Sequence, residues 1–535
     1  MMNATVVAQA FMPSSLVTLP LPNVALLFAS SLLIFLLHHL FGKTKRGGLP
    51  PGPTPWPIVG SLIPMLRNQV RWRWVVGKAE GNDITCFRFG GVHVVVVNSP
   101  ELSREFFKKQ DANFASRPLT MATEYSSDGY VTVVVSPWGD QWKKMRRVLA
   151  SDVLNNSRLQ KEVKLRTEET DHFTGYLYKR CAAGRTIDVR FVLRFYCGNV
   201  IRKMMYGVRY FSKGGEFGGP GEEELEHVDA AFDVLKCAYS FCPSDFLPSL
   251  RFLDYGGHEK IMKNATETVY KYHDPIASKR LEKWRSWREK GVEKKDVEDM
   301  LDIFLSLKDD NGKPLLSMKE IRAQCAELLY AIVDNPSQIV EWALAHLIDQ
   351  PETMRKALEE LDRVVGKDRL VQESDLPQLP YLKACTREAL RIHPVAPFDL
   401  PHVAINDATV AGYFIPKGTM VLVSRVGLGR NPKVWDEPLV FNPDRHLKDG
   451  QTVELAEPDL RMLSFGAGRR TCMGGPLGSL MTYMLLGRMI QAFEWSMPSG
   501  ESRVDFSEDK WSLFRYEPLC VRAKPRLSTN LLANL

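Results

Sequence analysis

Residues 464–474 of this 535-residue chain read Ser-Phe-Gly-Ala-Gly-Arg-Arg-Thr-Cys-Met-Gly, a glycine-relaxed loop that holds one cysteine beside two arginines. A thiolate stays ionised only near positive charge or a metal, and glycine lets backbone N–H groups approach a sulfur. From Phe465 onward, Phe, Gly, Arg, Cys and Gly fall at relative positions 1, 4, 6, 8 and 10. A lone cysteine is usually a buried, inert side chain. Five matched positions around Cys472 outweigh that reading and point to a metal-ligating thiolate.

Nothing else in the cysteine usage suggests a metal. The nine cysteines are scattered without CxxC pairs, and the one close pair, Cys237 and Cys242, is spaced for ordinary packing. An odd count in a long chain reads as reduced thiols facing the cytosol. Hydrophobic residues at 44% and charged residues at 25% are globular values. A net charge of +7 without a basic module argues against nucleic acid and for an anionic membrane surface or an acidic protein partner.

Residues Val24 to Phe41 carry no Asp, Glu, Lys or Arg, and Lys43, Lys45 and Arg46 follow, while residues 1–23 hold no Lys or Arg. That stretch is long enough to span a bilayer, and the positive-inside rule puts the N-terminus in the lumen and the bulk of the chain in the cytosol. A cleaved signal peptide would need a basic leader and a small-residue cleavage site, and neither is evident. Residues 1–42 are therefore expected to form a lumenal tail and anchor. Residues 43–60 form a basic, proline-rich hinge ending in Leu-Pro-Pro-Gly-Pro-Thr-Pro-Trp-Pro-Ile-Val-Gly. Proline at this density favours an extended strut.

Residues 61–535 read as one catalytic domain, mainly α with a smaller β portion. Strand-like runs at Ile84–Phe89, His93–Val97 and Val131–Val135 precede amphipathic helices from about residue 221 to 395. Glu388 and Arg391 stand three apart on one predicted helix face, and Phe441-Asn442-Pro443-Asp444-Arg445-His446 follows about fifty residues later. Trp142 and Arg146 lie four apart upstream.

Together with the cysteine loop, the order WxxxR, ExxR, the Phe441–His446 segment and Cys472 resembles the cytochrome P450 family from residue 50 onward. The resemblance implies a P450 fold and a haem b whose iron is axially ligated by Cys472. It implies a structural charge triad of Glu388, Arg391 and Arg445 behind the haem. Trp142, Arg146, Arg470 and His402 fall where family members meet haem propionates, and a planar guanidinium suits a carboxylate.

The long helix over the haem departs from the common pattern. Asp334 keeps the acid position, Asn335 replaces the usual threonine, and Pro336 follows. Proline removes an N–H and clashes with the preceding turn, so the helix is expected to kink there. Asp-Asn-Pro-Ser is similar to the plant P450s that N-hydroxylate amino acids to aldoximes, as are Asn113–Thr123, Pro137–Trp142, His393–Phe398 and Gly427–Pro432. Thr471 and Gly474-Gly475-Pro476 depart from that family's usual cysteine loop, and Thr471 is expected to hydrogen-bond near the sulfur.

That resemblance implies an enzyme in the endoplasmic reticulum membrane. It would N-hydroxylate an L-amino acid twice, an aromatic one being favoured, and give the aldoxime. It would use dioxygen and NADPH electrons delivered by a separate NADPH–cytochrome P450 reductase, since no flavin or dinucleotide fingerprint is present. Asp334 and Asn335 would handle protons and water. Arg117, helped by Thr120 or Thr123, is the candidate for the substrate carboxylate, because such a group is costly to bury unpaired. Phe398 would line the side-chain pocket. Three alternatives stand beside this reading: an oxygen-independent haem-thiolate lyase or isomerase, a general C-hydroxylating plant P450, and a non-catalytic haem-binding scaffold.

Overall fold

The structure is a computed structural model that describes residues 29–33, 48–290, 297–447, 452–498, 503–509 and 513–535. The expected anchor, Val24–Phe41, lies outside the described residues apart from Ala29–Leu33, which are helical. Among the described residues no helix is long and apolar enough to cross a membrane.

Helix dominates, as expected. The helices that matter for the site are α1 (Asp140–Val148), α2 (Val189–Tyr206), α3 (Glu222–Ala238), α4 (His258–Glu289), α5 (Met318–Val333), α6 (Asn335–Asp349), α7 (Pro380–Ile392) and α8 (Gly475–Ala492). The largest sheet joins β1 (Ile84–Phe89), β2 (Val92–Val97), β3 (His402–Val403) and β4 (Met420–Val423) in the order β1-β2-β4-β3. β2 reads Val-His-Val-Val-Val-Val and pairs in parallel with β4 from Val94 opposite Met420. Both are continuous apolar runs rich in β-branched residues, which suits strands buried on both faces. β4 also pairs with β3, so His402 faces Val421 in an antiparallel register.

The hinge segment that is described runs beside β1. Cys86 N–H donates to Pro51 O (2.7 Å), and a Cβ on Gly52 would lie 1.8 Å from Cys86 O. Glycine is required there by close backbone approach. The extended strut is therefore pinned to the sheet.

The pair α5–α6 runs through the centre, packed against α2 on one side and α7 and α8 on the other. α5 starts at a capping box: Ser317 Oγ accepts from Glu320 N–H while the Glu320 carboxylate accepts from Ser317 N–H. α5 ends at Val333, Asp334 stands outside both helices, and α6 begins at Asn335 with Pro336 in its first turn, where a missing N–H is tolerated. The expected kink is present. Two freed carbonyls are met by side chains: Asn335 Nδ2 donates to Ala331 O (2.9 Å), and Ser337 Oγ lies 3.1 Å from Val333 O; Ser337 Oγ also lies 2.7 Å from Asp334 O, which accepts from Gln338 N–H.

One expected strand is absent. Residues Val131–Val135 form turns. Their backbone groups bond to distant side chains instead of a neighbouring strand: Val133 N–H to Gln324 Oε1 and Val134 N–H to Glu327 Oε1, both at 3.1 Å. Side chains on α5 replace the ladder that the apolar pattern suggested.

Candidate active site

Cys472 sits between a short turn at Gly468–Arg470 and the start of α8. Its N–H donates to Phe465 O (2.8 Å), closing the loop. Gly468 adopts φ +65°, and a Cβ there would lie 2.4 Å from Phe107 O, so only glycine fits. Thr471 Oγ1 donates to Gly468 O (2.7 Å), so the hydroxyl expected near the sulfur braces the loop instead. The Cys472 side chain has accessible surface and is nevertheless desolvated, which places it in an interior cavity. Burial pushes the thiol up, against the Gly474 N–H and the Arg425 and Arg146 guanidinium groups. Nearby positive charge alone does not ionise this sulfur. A metal cation bound to it would.

Around the loop lies a buried cationic cluster. Arg470 stands over Trp142 (4.7 Å) and donates to Ala115 O (2.6 Å), Val133 O (3.2 Å) and Ser136 O (2.6 Å). Burial and the Arg117 and Arg146 charges push it down to about 8. Arg146, on α1, donates to Thr471 O (2.7 Å). His402 Nδ1 lies 2.7 Å from Phe114 O, its ring packs at a tilt against Phe107, and burial lowers its pKa. Two residues that the sequence reading missed complete the cluster. Asp399 lies 2.8 Å from Arg425 Nη2 and 3.6 Å from His402 Nε2. Arg425 holds that carboxyl well below its usual range, with help from His402 and Arg117.

Arg117 and Arg425 act on one carboxylate, Asp399, while Arg146 and Arg470 stand within electrostatic reach of each other and add positive charge. Glu327, buried with Thr132 Oγ1 at 2.5 Å, lies within electrostatic reach of Arg117 and Arg470, and desolvation raises its pKa. Buried positive charge in such excess requires an anionic partner. Arg425 Nε is buried with no hydrogen-bond partner. A thiol beside a buried cationic cluster fits a haem, which would bring an iron for the sulfur and propionates for Arg146 and Arg470.

The charge triad assembles behind the loop. Glu388 and Arg391 are wholly buried and form a bidentate pair, with Nε–Oε2 and Nη2–Oε1 both 2.8 Å. Arg445 Nε reaches Glu388 Oε1 at 3.0 Å, and His446 Nε2 lies 2.7 Å from Oε2. His446 therefore makes the triad a tetrad. Arg391 Nη1 also donates to Gly429 O and Pro438 O, both at 2.6 Å, tying α7 to the segment that leads to the cysteine loop.

Above the cavity, Asp334 is buried with Oδ1 unpartnered, and desolvation pushes its carboxyl up to about 7 against Arg194 and Arg190. Asn335 spends its amide on Ala331 O. Three substrate candidates have other partners. Arg117 donates to Leu400 O (2.6 Å), Pro401 O (2.9 Å) and Val134 O (3.2 Å), and so belongs with the haem-side arginines. Thr120 and Thr123 cap the helix Met121–Ser126 reciprocally, their hydroxyls 2.8 Å apart. Phe398 is buried, edge-on to Phe241 at 6.1 Å. All nine cysteines are free thiols.

The sequence is similar to known proteins along nearly its whole length. The sequence is 52% identical to a tyrosine N-monooxygenase of Sorghum bicolor over 494 residues, covering 91% of this chain and 88% of the relative. It is 52% identical to a phenylalanine N-monooxygenase of Arabidopsis thaliana over 501 residues, 92% and 94% of the two chains. It is 51% identical to a tryptophan N-monooxygenase of Prunus mume over 522 residues, 95% and 97%. The family described as Cytochrome P450 matches residues 50–520, which hold the thiol loop, the arginine cluster and the Glu388 tetrad, and the chain belongs to that haem-thiolate family.

Proposed function

We propose that this protein N-hydroxylates a free L-amino acid twice and yields the aldoxime, with electrons passed from NADPH through a separate reductase. The observation that carries the reading is identity of about half over nine-tenths of the chain to N-monooxygenases of tryptophan, tyrosine and phenylalanine. Isoleucine and valine N-monooxygenases follow at 49% and 47%, so side-chain choice stays within the apolar amino acids, with an aromatic one favoured.

Bound haem supplies the oxidising chemistry, and a cysteine thiolate donates the electron density that favours O–O cleavage. The chain's own residues do the rest. Cys472 holds the iron, and Gly474 N–H stabilises the sulfur's charge. Trp142, Arg146, Arg470 and His402 would meet the propionates. Asp334 holds a proton below about pH 7 and releases it above, while Asn335 fixes the helix break beside it.

Replacing Asp334 by Asn removes that proton. Positioned acid–base groups contribute about 10²–10⁴ in rate. Turnover is expected to fall at least about tenfold, and the decline of wild-type rate above pH 7 to flatten. An unchanged rate and pH profile would refute the role.

The chain is held at the endoplasmic reticulum membrane by Val24–Phe41, its catalytic part in the cytosol. Phe252, 80% exposed, and Ile58, 61% exposed, support a lipid-facing side. Their segments flank the β1–β2 turn, where Gly90 N–H donates to Val59 O and Gly90 abuts Phe246.

Microsomes containing the protein and a reductase, given NADPH and each of the twenty amino acids, are expected to form one or a few oximes detectable by mass. Hydroxylation confined to carbon would return the chain to general P450 chemistry.

A further inference from the structure

An amino acid brings a carboxylate and an amine into a cavity whose walls are mostly apolar. Leaving either charge unpaired in such a place is costly. Arg117 spends donors on three carbonyls, and Thr120 and Thr123 cap a helix. Among the described residues, Arg425, Asp399 and Tyr239 stand beside the thiol with polar groups to offer, and Asp334 is kept for the proton.

Arg425 stands two residues past the end of β4 and gives Nη2 to Asp399; among the described residues its buried Nε has no partner. The pair is close enough to Cys472 to act on its charge, so it stands next to the reaction centre. Tyr239, just past the end of α3, has a hydroxyl without a partner among the described residues and lies within electrostatic reach of Arg425, Asp399 and Asp334. It therefore stands near both the helix break and the ion pair. Burial pushes its phenol up to about 12, which keeps it a neutral donor. Phe241, two residues on, packs edge-on against Phe398, bringing an apolar wall beside the same spot.

We infer that Arg425 and Asp399, faced by Tyr239, form the polar end of the substrate cavity, with Arg425 receiving the α-carboxylate and Asp399 the α-amine of a free amino acid. The inference rests on the proposed amino-acid N-hydroxylation. A guanidinium with a spare donor beside a carboxylate matches a zwitterion charge for charge, and guanidinium–carboxylate pairs carry geometric specificity. The aldoxime has neither charge, so the same pair holds the product weakly.

The test compares the holoenzyme with Arg425→Gln and with the double variant Asp399→Asn/Arg425→Gln, which removes the ion pair as a unit if the single variant folds poorly. Equilibrium dialysis with labelled L-phenylalanine, L-tyrosine, L-tryptophan, L-valine and L-isoleucine, beside the amines that lack their carboxylates, reads binding directly. Haem content is measured on the same samples. Truncating a buried charge pair weakens binding about thirtyfold or more. The amino acid's Kd is expected to rise by at least that factor in Arg425→Gln, while the matching amine shifts less than about threefold and haem is retained. An unchanged amino-acid Kd, or equal weakening of acid and amine, overturns the inference. So does loss of haem from both variants with an unchanged Kd in the remainder, which assigns Arg425 to the propionates. If the wild type binds none of the amino acids, the proposed function itself fails.

Discussion

Cys472→Ser leaves a folded protein with no thiolate-ligated haem and no turnover. The serine hydroxyl occupies the same loop, and the Phe465 carbonyl, Gly468 and α8 need no change to accept it. What disappears is the soft, readily ionised ligand on which O–O cleavage depends. The expected reading is loss of the thiolate signature in the carbon-monoxide difference spectrum and oxime formation below detection, with thermal unfolding of the haem-free protein little changed. Serine is nearly isosteric and makes the same backbone bonds, so a large stability loss would mean that the loop depends on the sulfur for packing. Residual oxime formation at even a tenth of the wild-type rate would exclude Cys472 as the ligand.

Glu388→Gln acts on stability instead. Glu388 carries Arg391, Arg445, His446 and the Asn442 N–H at once, and both Glu388 and Arg391 are wholly buried. Removing the carboxylate strands the Arg391 charge, which costs about 3–5 kcal/mol when a buried pair is broken. Total domain stability is only about 5–15 kcal/mol, so the variant is expected to accumulate poorly and to unfold at distinctly lower denaturant. The pH dependence has a defined sign. The Glu388 carboxyl is held down to about 2 by Arg391 and His446 despite burial, against about 4.3 for an unperturbed Glu. Its contribution is fully present above about 4.3 and is lost as pH falls towards 2. The wild type therefore loses stability on acidification through that window more steeply than the variant. Equal acid limbs and a denaturation change below about 1 kcal/mol would contradict the tetrad.

What the sequence displayed clearly was what lies close together along it. The cysteine loop carries its own chemistry within eleven residues, and Glu388 and Arg391 are paired by helical spacing alone. Arg445 needed resemblance to be joined to them. His446, quoted beside it, was passed over because a histidine next to an arginine has no spacing signature. Asp399 and Arg425 went unread although each is a charge set against an apolar run, Pro397-Phe398 and Met420–Val423. Their partnership exists only through β4 and the segment that crosses it. Thr120 and Thr123 had a local signal, a hydroxyl pair at capping distance ahead of a helix, that competed with a functional reading. Val131–Val135 misled for the opposite reason: its apolar pattern is real, but Glu327 and Gln324 supply from α5 the partners a strand would have found next door.

The break between α5 and α6 is written three times over. Pro336 withholds an N–H, Asn335 occupies the carbonyl of Ala331, and Ser337 occupies those of Val333 and Asp334. Losing the proline alone restores one donor while two side chains still hold their neighbours' carbonyls. A straight helix is then several substitutions away, and each intermediate keeps a partly satisfied bend. The bend is thereby insulated from single mutations, and the buried Asp334 carboxyl held between the two helices is insulated with it.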